Sequence, residues 1–156
     1  MPIPGVTLFK VPVAIPAEME SAVAALRDSR GKMECLVRAY QLLTKKYRGY
    51  RLRTYTRILD ALCSDLREIW RGSGFLHYTT LNYLLKILLV KSGHFRDEDI
   101  KFRWTFVWLI SPHQYAKVRF AKGQWVAVDL FGRAFGIPFG NYAHGIHSGS
   151  LRAKGA

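Results

Sequence analysis

The sequence predicts an α+β domain, with N-terminal helices and a buried central helix packed on an antiparallel sheet. Two observations carry the prediction. Apolar residues recur at helical spacing as far as Val90, and beyond Asp99 the period drops from helical to two. Two of the alternating stretches are joined by Ala121-Lys122-Gly123, a hairpin turn. Helices first and an antiparallel meander afterwards is the α+β layout. The 156 residues are 49% hydrophobic and 13% aromatic, enough for one sizeable core and one domain.

The elements follow in order. Residues 1–16 form an extended segment punctuated by Pro2, Pro4, Pro12 and Pro16, and residues 17–156 are expected to make the single domain. A first helix over Ala17 to Arg27 carries Met19, Ala22, Val23 and Leu26 near helical spacing. A second, after Gly31, has Met33, Leu36, Val37, Tyr40 and Leu43 on one stripe and stops near Gly49. A third runs from about Thr54 to Trp70 with Ile58, Leu62, Leu66 and Ile69 inward. Arg71-Gly72-Ser73-Gly74 reads as a flexible turn. The run Leu81 to Val90 is apolar on most sides, the mark of a helix buried by its neighbours, with Thr79 or Thr80 as its N-cap and Ser92-Gly93 as its end. After the acidic turn Asp97-Glu98-Asp99, the residues Ile100, Phe102, Trp104, Phe106, Trp108 and Ile110 alternate with a second set. That is a strand with one face in the core, broken by Pro112. His113 to Phe120 and Gln124 to Asp129 make two further strands. The Gly-rich tail after Leu130 reads as loop or extended chain; the spacing of Gly132, Gly136 and Gly140 lacks the strand-to-helix context of a phosphate loop.

A formal charge of +13, from 24 basic and 11 acidic residues, attracts polyanions or acidic partners. Arg38, Lys45, Lys46, Arg48, Arg51, Arg53 and Arg57 are interleaved with Tyr40, Tyr47, Tyr50 and Tyr55. This pattern suits either phosphate contact with base stacking or a solvated face whose tyrosines pack inward. Cys35 and Cys63 fall on or beside helical apolar stripes, so both are expected to be core thiols of a reducing compartment, the cytoplasm. With no long uncharged apolar run, no membrane partner is expected. His144 and His147, three apart, lack the cysteine or carboxylate company of a metal site even with His77 and His94 added, so no metal or other cofactor is expected.

A buried helix opened by a Gly-rich turn, a His-led strand (His113-Gln114-Tyr115-Ala116-Lys117-Val118) and a strand ending Trp125-Val126-Ala127-Val128-Asp129 form a combination that resembles the transglutaminase-like domains of the papain-fold cysteine enzymes. The resemblance covers roughly Gly72 to Asp129. It implies a nucleophilic cysteine at the start of the central helix, a His base and an Asp that orients it. Counted back from Ser92-Gly93, the cysteine position falls on Tyr78, with His77 or Leu76 as less favoured registers; neither Cys35 nor Cys63 fits. The resemblance further implies chemistry on an amide or peptide held in a cleft, with Trp70 a weak candidate for an oxyanion pocket. A cysteine beside an imidazole at a helix N-terminus is held as thiolate. A phenol, with a reference pKa near 10 and an oxygen farther from the backbone, does not replace it. The expectation is an inactive scaffold in which Tyr78 fills the old pocket; a Tyr78 nucleophile is the other reading. The alternative function is a basic, non-catalytic module for nucleic acid or an acidic protein.

Overall fold

The computed structural model describes residues 10–49, 65–108 and 110–145. In chain order these form α1 (Ala17–Arg27), α2 (Lys32–Lys46), β1 (Tyr47–Arg48), α3 (Leu66–Arg71), β2 (Gly74–Phe75) and α4 (Tyr78–Lys91). Then come β3 (Ile100–Val107), β4 (Ser111–Ala121) and β5 (Gln124–Val128), with 3-10 turns at Asp97–Asp99 and Gly132–Phe135. β3, β4 and β5 form an antiparallel sheet in that order, so the chain is a mixed helix and sheet protein of the α+β layout.

α4 is buried because it is covered on two sides. It packs against α1 and α2 on one side and β4 on the other, and Leu81, Leu84, Leu85, Ile87, Leu88 and Leu89 are almost fully buried. Each such side chain contributes on the order of 1.5–3 kcal/mol of transfer free energy. Its N-cap is His77, not Thr79 or Thr80. The imidazole Nδ1 lies three bonds from Cα, as the side-chain oxygen of Asn does, and so reaches the Thr79 N–H at 3.4 Å and the Thr79 hydroxyl at 2.8 Å.

Several elements depart from the sequence reading. On α2 the buried stripe is Cys35, Leu36, Ala39, Tyr40 and Leu43, whereas Met33 is exposed and Val37 half-buried. The helix drawn from Thr54 to Trp70 is not continuous. Asp65 is extended and its carboxylate accepts the Arg67 N–H at 3.2 Å, capping the six-residue α3; an Asp that caps in this way stops any helix arriving from before it. Ile58, Leu62 and Cys63 lie outside the described residues. The expected flexible turn at Arg71–Gly74 leads straight into β2, which pairs in parallel with β1 through Tyr47–Gly74 and Arg48–Phe75.

β3 ends at Val107, not Ile110, because Trp108 adopts φ 55 and turns the chain back. Pro112 does not break a strand but lies inside β4. Pairing of β4 with β5 begins only at Ala116–Val128, so β4 has a free side at Pro112, where a missing N–H is tolerated. The apolar face of β3 enters the core only at its start. Ile100 is buried and Phe102 half-buried, but Trp104, Phe106, Trp108 and Ile110 are exposed. Length explains this: the 14 residues of α4 span about 21 Å and the 11 of β4 about 36 Å, so the helix cannot cover the ribbon to its end.

The tail is packed, not loose. After Gly132–Phe135 it crosses to the sheet face away from α4, with bridges Ala127–Gly140 and Val107–Gly145. Ile137 and Ala143 bury against Val107, and Tyr142 stacks on Tyr115 at 4.0 Å. At the other end of the chain, the segment before α1 lies along α4: the Tyr83 hydroxyl donates to the Lys10 carbonyl and the Lys91 ammonium to that of Val13.

Candidate functional site

The site grows from one antiparallel pairing. His113 is the third residue of β4 and Asp129 directly follows β5, so neighbouring strands bring the two side chains together. His113 Nε2 lies 2.8 Å from Asp129 Oδ2, and both residues are buried. The carboxylate is saturated further: Oδ1 accepts the Gly132 N–H and Oδ2 the Ala143 N–H, each at 2.8 Å. A carboxylate can only accept, so Nε2 carries the imidazole proton and Nδ1 keeps the lone pair of a base. Gly132 is required by space, because a Cβ there would stand 2.6 Å from Asp129 Oδ2.

Tyr78 is the first residue of α4, and its ring packs against the imidazole of this pair. Its centroid lies 5.2 Å from that of His113, edge to face, with Phe131 at 5.8 Å, Trp104 at 6.1 Å and His77 at 4.0 Å. Tyr78 is itself buried. The structure thus brings Tyr78, His113 and Asp129 together, with a helix N-terminus where the resemblance implies a nucleophile and an aromatic box where it implies an open pocket.

His77 is a cap and not a second base. Burial, and then the neighbouring His113, push its imidazole down to about 4, so it is neutral near pH 7. Its Nε2 is buried without a hydrogen-bond partner among the described residues. Leu76 packs against the core. Trp70 is no oxyanion donor here, since its indole N–H is committed to the Glu18 carbonyl at 2.8 Å, tying α3 to α1. Trp125 does not frame the pair; its ring lies under Lys101 and Arg119.

Sequence reasoning missed Phe131, Trp104, Gly132 and Ala143. A signal existed for Gly132 alone: Asp at the first and Gly at the fourth position is a favoured pairing in type I turns. Asn82 and Gln114 were likewise missed; the Asn82 amide donates to the Gln114 carbonyl at 2.9 Å and joins α4 to β4 next to His113.

The other sequence candidates disperse. Among the described residues no cluster of His, Cys, Asp or Glu is placed to hold a metal ion. His94 bonds the Arg27 carbonyl, His144 stands beside Tyr142, and His147 lies outside the described residues. Cys35 is buried against Ser92, and burial pushes its thiol up. Of the basic and aromatic series, Tyr40 and Tyr47 are core residues with no face free for a base, while Arg51, Arg53, Arg57, Tyr50 and Tyr55 lie outside the described residues. A cavity of about 430 Å³ does open near Arg48 and Arg133. Among the described residues no helix is long and apolar enough to cross a membrane. No protein-family model, curated protein or solved structure matches the chain.

Proposed function

We propose that this chain is a transglutaminase-like domain of the papain-fold kind that retains its base and orienting carboxylate but has lost its nucleophile to Tyr78. The observation that carries the reading is the buried His113–Asp129 pair facing the first residue of α4. With a cysteine at that position, a thiolate favoured by the helix N-terminus would add to an amide carbonyl. The imidazolium would protonate the departing amine, leaving a thioester for water or a second amine to resolve. Asp129 fixes the His113 tautomer that this sequence needs. Tyr78 offers a phenol in place of the thiol, and its ring occupies the substrate's approach to the base. The chain is accordingly a silenced amide or peptide hydrolase or acyltransferase.

The test is a Tyr78→Cys variant in a background with Cys35 and Cys63 changed to Ala, so that one thiol reports. Its alkylation rate against pH should titrate well below the ordinary thiol value near 8.5, and adding His113→Ala should restore that value. An introduced thiol that titrates normally with His113 intact would sink the reading.

The charge of +13, with Arg48 and Arg133 lining one cavity, favours a second reading: a basic module for nucleic acid or an acidic protein. Binding of such a partner would weaken steeply with added salt.

A further inference from the structure

Four large apolar side chains are exposed together at one end of the sheet: Trp104 at 41%, Phe106 at 61%, Trp108 at 48% and Ile110 at 84%. Trp104 and Phe106 share one face of β3, and Trp108 and Ile110 belong to the turn that leads into β4. The β3–β4 ribbon runs on from Arg103–Tyr115 to Val107–Ser111, past the last β4–β5 pair at Ala116–Val128. The apolar residues therefore lie at the end of the ribbon that α4 does not cover, beside the tail bridged to Val107, with the most exposed of them at the tip. Exposed Lys101 and Arg103 lie behind them on the same strand, and the chain as a whole carries +13.

These features decide between possible occupants. Edge-to-edge pairing with a second copy through β3 would bring Lys101 and Arg103 of both copies together between two strongly basic bodies. A bound peptide needs side-chain pockets along the strand, whereas these residues protrude. An anionic bilayer matches both the order and the charge. Apolar groups lead, tryptophan rings favour the headgroup level, and cations follow. At about 3.3 Å per residue Arg103 lies roughly 10 Å behind Phe106, at the outer limit of the roughly 5–10 Å to which interfacial apolar groups sink.

We propose that the β3–β4 hairpin tip is an interfacial anchor that seats Trp104, Phe106, Trp108 and Ile110 in the headgroup boundary of an anionic membrane. This departs from the sequence expectation of no membrane partner, which rested on the lack of a long apolar run. It does not rest on the function proposed for the His113 site, with which it shares Trp104.

The experiment is co-flotation of the full chain with vesicles of phosphatidylcholine, with and without phosphatidylglycerol, together with tryptophan quenching by brominated lipid. The anchor requires binding to the anionic vesicles, weakening with salt, and quenching. It also requires a loss of about tenfold or more in partitioning for Ile110→Ser and for Trp108→Ser, with unchanged circular dichroism. Absence of anionic vesicle binding overturns it, as does binding that both variants retain in full. So does a dimer in sedimentation that the same substitutions dissolve, which would assign the face to a second copy.

Discussion

A carboxylate held by an imidazole and two amides has almost no freedom, and Asp129 is in that position. Gly132→Ala would drive a methyl group against it. Denaturant unfolding should show a loss of roughly 1–3 kcal/mol, and the His113 ring-proton resonance should shift as the Nε2 bond lengthens. His77 gives a second residue-scale prediction. Its folded value of about 4 lies below the ordinary 6.5. Between these the unfolded chain binds a proton and the folded chain does not, so stability is complete above pH 6.5 and declines as pH falls toward 4, by about 3 kcal/mol. His77→Asn keeps a capping acceptor and removes the titration, so the slope of stability between pH 4 and 6.5 should flatten; an unchanged slope would place the acid sensitivity elsewhere. It was the resemblance that singled out Tyr78, His113 and Asp129, and the structure sets Tyr78 beside His113 and His113 beside Asp129. Ala143 was not foreseen, since only the return of the tail across the sheet brings it to the pair, and Phe131, two residues past Asp129, belongs to no periodic element.

At the scale of elements, the helices and strands were legible where apolar spacing was strong, as in α4 and β4, and misread where a short-range polar contact or a relative length decided. Asp65 begins α3 with a single hydrogen bond where the spacing suggested an uninterrupted helix. The cover over β3 gives out because a helix rises less per residue than a strand. The acidic turn before β3 has a function that the sequence reading did not assign. Asp99 accepts from the Arg96 N–H, from Lys32 of α2 at 2.9 Å and from Arg119 of β4 at 2.8 Å, clamping the helical layer to the sheet. Burial alone would raise its carboxyl; these donors outweigh burial and hold it at about 2. Its contribution is therefore complete above the ordinary value of 3.8 and is lost only as pH falls through about 2, well below the window of His77. Asp99→Ala should cost roughly 1–2 kcal/mol in denaturant unfolding at neutral pH, kept modest because Lys32 and Arg119 are partly solvated. A neutral result would mean that this clamp adds nothing to the apolar packing and the Asn82–Gln114 tie between the helical layer and the sheet.

For the whole molecule, the change of period after Asp99 made the α+β class legible, and the composition made a single large core legible. What the sequence could not display was that the sheet is covered on both faces. α4 covers one, and a tail read as loop covers the other with Ile137, Ala143 and Tyr142. Gly-rich composition disguised that second layer, because its contacts are backbone bridges and single side chains with no period to detect. The tie from Asp129 to the Ala143 amide, 14 residues further on, also makes the site depend on the docking of the tail. Until that segment is in place the carboxylate is short of one donor. The pair is thus complete only when the second cover of the sheet is seated, and protection of the Ala143 amide from hydrogen exchange is the signal that reports it.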